Sequence, residues 1–284
     1  MRFISALVYL VLLICPCALC YGQVSFSSVS GERGYAALRG NYVWDLDNGF
    51  ILIPSGGYYR ISDKEEDEES GTTGKMALET RYEVNDDLSL LTGLEYIPRR
   101  MGFQATGYYG GVKYNLCYRC GIFKNPYIVA AGGQTFYDLT AYADGTPYGD
   151  HFYSTATQAG SEIGSELGKF FFQARYDKVI KYNHKPPENI VSNWTEIPYM
   201  TAIVQGFVRD TVAARLSFRT RFIVPYAVYA RYKYMTHSHD TIALAAGVAV
   251  HWGQSTLSGG VEFFEQNQSQ NRKTYFSMSA STEF

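Results

Sequence analysis

Beyond residue 14 the chain has no apolar run approaching the roughly 18 to 20 residues that a membrane helix requires. Charge of one sign is also missing: 25 Lys and Arg stand against 27 Asp and Glu, a net −2, so no basic footprint for nucleic acid exists. Cysteine is scarce, with five in 284 residues. Leucine-rich helical patterning is absent too. What is plentiful is tyrosine (25), phenylalanine (17) and glycine (27), a composition that favours antiparallel β structure. Mean hydropathy sits just below zero, which does not distinguish a soluble chain from a membrane barrel, because a barrel hides its apolar surface in alternation.

The N-terminus carries Arg2, an apolar run over 3–14, Pro16 and small residues up to Gly22. That is the form of a secretory signal over 1–22, with one domain over 23–284. Removing the signal would take Cys15, Cys17 and Cys20 with it, leaving Cys117 and Cys120. In an exported protein such a pair is expected to form a local disulfide in a turn; zinc needs about four ligands and no second pair exists.

From residue 34 onward, alternating segments of about ten residues are separated by turn signals. In 76–84, Met76, Leu78, Thr80, Tyr82 and Val84 share one face and Ala77, Glu79, Arg81 and Glu83 the other. Asn85, Asp86 and Asp87 turn the chain into Leu88, Leu90, Thr92, Leu94 and Tyr96, opposite Ser89, Gly93 and Glu95. Further strands are expected near 35–45, 49–61, 105–117, 126–138, 152–167, 169–182, 196–208, 241–252, 255–265 and 272–284. The last alternates up to Phe284, an ending suited to barrel-assembly machinery. Short connections near 47–49, 85–87, 168, 209–211 and 253–255 alternate with long polar ones at 63–74, 139–151, 183–195 and 265–271. Outer-membrane barrels put short turns on the periplasmic side and long loops outside. Counting back from the C-terminus makes 212–235 one extended strand, with a hairpin near Ile223, Val224 and Pro225 as the alternative. It also requires 24–29 to pair beside the C-terminal strand. The fold class is therefore an all-β, antiparallel transmembrane β-barrel of about 14 strands, with 12 or 16 as alternatives, in the bacterial outer membrane among lipid and lipopolysaccharide.

Tyr96 with Arg99, Arg100, Met101, Gly102 and Phe103, then Asn125, Pro126 and Tyr127 through Ala130, Ala131 and Gly132, then Glu196, Ile197, Pro198 and Tyr199 resemble motifs of the PorT-like outer-membrane β-barrel family of Bacteroidetes-type bacteria. These motifs cover about a third of the chain. The resemblance implies a barrel serving as a structural or accessory component of envelope transport or secretion, with an envelope protein partner not specified by the sequence. Two departures stand out: Tyr108 to Lys113 occupy the slot where the Glu-Ile-Pro element would follow, and the strands outnumber those of small members.

Charged side chains cost roughly 2 to 4 kcal/mol facing lipid at the midplane, so they are expected to face the lumen. The candidates are Glu79, Arg81, Glu83, Glu95, Arg175, Asp177, Arg215, Arg219, Arg221, Arg231 and Lys233. A row of cations would favour anions in a pore, whereas mixed signs would fill a narrow barrel with ion pairs. A passive porin-like channel is the alternative function on this reading, and a lipid hydrolase a more remote one. The acidic run of Asp63, Glu65, Glu66, Asp67, Glu68 and Glu69 is expected to be a solvated loop, and His237, His239 and Asp240 another. Tyr108, Tyr109, Tyr114, Tyr226, Tyr232 and Tyr234 are expected to include an interfacial girdle. No catalytic, cofactor or metal site is expected.

Overall fold

The structure, a computed structural model, describes residues 22–31, 35–46, 48–61, 71–100, 103–143, 146–184, 195–196, 203–204, 208–234, 240–265 and 273–284. Almost all of the segment 1–22 expected to be a signal, the acidic run over 63–69, His237 and His239, and most of the strand expected over 196–208 lie outside the described residues.

The barrel strands are β1 (Gly22–Gly31), β2 (Ala36–Asp45), β3 (Phe50–Ile61), β4 (Gly71–Glu83), β5 (Leu88–Arg100), β6 (Phe103–Asn115) and β7 (Phe123–Ala143). They continue as β8 (Thr146–Leu167), β9 (Phe170–Tyr182), β10 (Val208–Phe218), β11 (Ile223–Tyr234), β12 (Thr241–Trp252), β13 (Ser255–Glu265) and β14 (Lys273–Glu283). Each pairs antiparallel with its sequence neighbours, and β1 pairs with β14, so the sheet closes on itself. The seam runs from Gln23 opposite Glu283 to Gly31 opposite Tyr275. At one end of it Gly22 and Phe284 exchange N–H···O bonds of 3.1 and 3.0 Å. Closure leaves the barrel wall without an edge strand among the described residues.

Alternation decides which side chains face out. Met76, Leu94, Phe276 and Met278 are each about 60% exposed on the outer wall, while Ser25, Asn41, Glu79 and Tyr109 point inside and line a cavity. An apolar outside around a polar inside is the reverse of a water-soluble barrel and the arrangement that lipid demands.

The turns at the terminal end, where β1 starts and β14 finishes, are local. Asn48 and Gly49, in the connection between β2 and β3, adopt left-handed φ of 56° and 79°, a region that Asn and Gly enter more readily than other residues. At 84–87 the Asn85 side chain accepts from the N–H groups of Asp87 (2.9 Å) and Leu88 (2.8 Å). Every connection at this terminal end is short, the longest being 116–122, whereas the distal end carries 62–70 and 183–207.

The total of 14 strands agrees with the sequence reading, but its composition does not. The span 212–235 is two strands, β10 and β11, reversed at 219–222. Among the described residues of 196–207 only Thr195–Glu196 and Ile203–Val204 pair, as a separate two-stranded ladder outside the barrel sheet. One strand too few and one too many had compensated. The hidden turn, Arg219-Thr220-Arg221-Phe222, contains no Gly, Asn or Asp; the Thr220 hydroxyl closes it by accepting from the Ile223 N–H at 3.1 Å and donating to the Ile223 carbonyl at 2.5 Å. The expected long loop over 139–151 is instead a prolongation of β7 and β8, paired out to Ala143 opposite Thr146.

Candidate functional site: the barrel lumen

Strands β1 to β10 enclose a cavity of about 870 Å³, within the range of about 300 to 1,000 Å³ usual for small-molecule sites. On β4 and β5 its wall pairs opposite charges: Lys75 with Glu95 at 2.9 Å and Arg81 with Glu79 at 3.6 Å. On β9 Arg175 Nε donates to Asp177 at 2.6 Å. Glu162 of β8 accepts from Tyr127 Oη (2.9 Å) and Gln173 Nε2 (2.7 Å), and Lys113 Nζ stands 5.0 Å from the Tyr127 ring centroid. Arg39 lies over Tyr59 at 5.4 Å. Around Arg39 the wall of β1 to β3 is polar, with Ser25, Ser27, Asn41 and Ser55.

The tyrosines are laid flat by glycine. A Cβ on Gly93 would sit 2.4 Å from the Tyr109 ring, and one on Gly247 would sit 2.5 Å from the Tyr226 ring. Removing the side chain beneath lets each ring cross a neighbouring strand; Tyr109 thereby reaches Glu79 Oε2 at 2.6 Å. Such rings fill the lumen without closing it.

Toward the distal end the interior changes character. Val29, Tyr35, Ala37, Tyr59, Ala105, Ala213, Ala230, Tyr232, Ala243, Phe264 and Tyr275 form one buried cluster, with Ile97, Tyr137, Phe152, Tyr182 and Val208 packed on it. Every barrel strand except β4 contributes. Tyr232 is 0% exposed within this cluster, while Tyr59, Tyr137, Tyr182 and Val208 of the same cluster also line the cavity. Glu262 and Lys273 are buried at the same end.

Of the expected lumen residues, Glu79, Arg81, Glu95, Arg175 and Asp177 line the cavity. Glu83 follows in the same phase at the terminal end of β4. Arg215 stands over Tyr226 at 4.8 Å. Arg219 forms an ion pair with Glu166, and Arg221, over the Phe222 ring at 5.1 Å, lies in the terminal turn. Arg231 and Lys233 face the other way. On β10 the odd positions Thr211, Ala213 and Ser217 point inward, and their partners Tyr232, Ala230 and Tyr226 carry that face into β11 on even numbers. Reversal at 219–222 therefore flips the phase, which a continuous strand could not do. Arg231 lies opposite Val212 and Ile242, both exposed outer-wall residues, and pairs with Asp240.

The tyrosines divide in the same way. Tyr108 and Tyr114 are exposed outside, whereas Tyr109, Tyr226 and Tyr232 point inward; the Tyr234 side chain lies outside the described residues. Lys75, Lys113 and Arg39 were not anticipated as lumen groups, although each lies in phase with a small or polar neighbour two positions away: Ala77, Gly111 and Asn41. Cys117, in the 116–122 connection, is disulfide-bonded, and the Cys120 side chain lies outside the described residues. His251, at the terminal end of β12, has Nδ1 2.8 Å from Thr256 Oγ1.

No protein-family model and no curated protein matches this chain. Among solved structures it is similar to the CymD monoaromatic hydrocarbon channel, with 11% identity and a TM-score of 0.56 over 93% of this chain and 88% of that one. It also aligns with a bacterial polysaccharide outer membrane secretin (10% identity, TM-score 0.48, 93% and 98% covered). A third match is the outer-membrane expressed OmpT of Vibrio cholerae (10%, 0.48, 93% and 97%). At such identities the likeness is one of fold, and the fold is a closed antiparallel barrel of 14 strands of the outer-membrane kind.

Proposed function

We propose that this chain is an integral protein of a bacterial outer membrane, with its terminal end in the periplasm, and that it works as a narrow, weakly selective passage for small solutes. The cavity inside the closed sheet carries this reading, because a barrel serving only as a scaffold has no need of a chamber lined by hydrogen-bonding groups. The exposed apolar outer wall and the placement of short turns at one end support the membrane and its polarity. Mixed, mutually paired charges in the wall argue for weak ion preference.

The buried distal cluster favours a second reading, in which the barrel is plugged and acts as a PorT-like accessory component of envelope transport. Purified protein in planar bilayers separates the two. Small, sustained conductance steps together with swelling of proteoliposomes in sugar solutions are expected of the passage. Electrically silent insertion with no solute entry would leave only the accessory reading.

A further inference from the structure

Arg231 and Lys233, displaced from the lumen, belong to a cluster that a lipid-facing wall should not contain. Lys178 on β9, Asp210 on β10 and Lys233 on β11 are partners in one row across three adjacent strands. Arg209, the extra residue where the register shifts beside Val208, turns its Nε onto Asp210 at 2.8 Å. Arg231 binds Asp240, with Nε 2.7 Å from Oδ2. Four cations thus surround two carboxylates. Both arginines are committed to aspartates, while neither Lys178 nor Lys233 makes an ion pair among the described residues.

Depth explains how this is tolerated. Along the same outer wall Phe172 and Leu216 share one row, Tyr229 lies opposite Ala214 in the next, Tyr176 shares the third with Val212 and Arg231, and Lys178, Asp210 and Lys233 form the fourth. Apolar, tyrosine, charged is the order of the hydrocarbon, interface and headgroup zones. Tyr176 Oη donates to Asp210 at 3.1 Å, joining the second zone to the third.

We propose that this row is a binding site for the phosphate groups of an outer-leaflet glycolipid, gripped by the two lysine ammonium groups and oriented by the arginines. The site rests on the membrane reading above. Lys178 and Lys233 flank β10 two strand spacings apart at the backbone, within reach of the phosphates of one headgroup through their long side chains.

The test uses the full chain, folded in detergent, and native mass spectrometry with bisphosphorylated lipid A, the same lipid stripped of phosphate, and inorganic phosphate. Wild type is expected to retain the phosphorylated lipid roughly 10- to 30-fold better than the stripped one. Lys178→Gln with Lys233→Gln is expected to lose that preference, and Arg60→Gln, an exposed cation at the same end of β3, to keep it. Equal retention by wild type and the double variant would overturn the site. Displacement of the lipid by an equal concentration of inorganic phosphate would overturn the lipid assignment. Insertion into liposomes, followed by heat-dependent electrophoretic mobility, is measured separately; failure there sinks the membrane reading and this site with it.

Discussion

Tyr109 on β6 donates its hydroxyl to Glu79 on β4 at 2.6 Å, and its ring crosses the intervening strand over Gly93. Gly93→Val would put atoms where the ring lies. Overpacking of this kind costs about 1 to 3 kcal/mol. A lowered temperature for loss of the compact electrophoretic form is expected. Gly110→Val, on the outer face with nothing nearer than 3.8 Å to its Cβ, should leave that temperature almost unchanged.

Opening the distal layer should be visible as current. Tyr232→Ala removes a fully buried ring, costing about 3 to 5 kcal/mol by analogy with other aromatic truncations, and is expected to raise single-channel conductance. Tyr232→Phe keeps the ring and should not. Identical currents from all three proteins would show that the layer is no barrier.

Ion preference should respond to the wall with a definite sign. Glu79→Gln with Glu95→Gln leaves Lys75 and Arg81 without their carboxylates, so the reversal potential in a potassium chloride gradient should move toward chloride. Lys75→Gln with Arg81→Gln should move it toward potassium. Shifts of the same sign in both would contradict the assigned lining.

The phase of β11 can be read from two adjacent positions. Val228, opposite inward Arg215, faces the lumen, and Tyr229 is exposed on the outer wall. A spin label on Tyr229→Cys in liposomes should be relaxed by a lipid-soluble collision agent, and one on Val228→Cys much less. The reverse pattern would restore a continuous 212–235 strand.

Arg119 lies between Cys117 and Cys120, so trypsin separates the two cysteines. A linked pair of peptides in unreduced digests, resolved into two by reductant, is expected if Cys117 bonds to Cys120. A single unlinked Cys120 peptide would exclude that pairing.

Much of the barrel was legible because lipid on one side and water on the other impose period-2 alternation on each strand. Met76 to Glu83 and Leu88 to Tyr96 appear in the structure with the faces the sequence assigned. The failures share one cause, that turns are recognised by Gly, Asn and Asp. Asn48, Gly49, Asn85, Gly168 and Gly253 announce themselves; Thr220, closing a turn with its hydroxyl, does not. Missing that turn inverted the phase of β11 and sent Arg231 and Lys233 to the wrong side. The lumen was less legible than the wall, since alternation says which residues point inward but not which ones meet. Lys75 with Glu95 and Tyr109 with Glu79 depend on register across strands, which the sequence does not display.

Gly22 and Phe284 bond to each other as neighbouring strands do anywhere else in the sheet. Spatially the fourteen strands form a ring, in which β1 and β14 meet as any other neighbours do. Linking Phe284 to Gly22 and cutting at the exposed Gly253 turn instead would give a polypeptide that begins with β13 and retains every strand pairing.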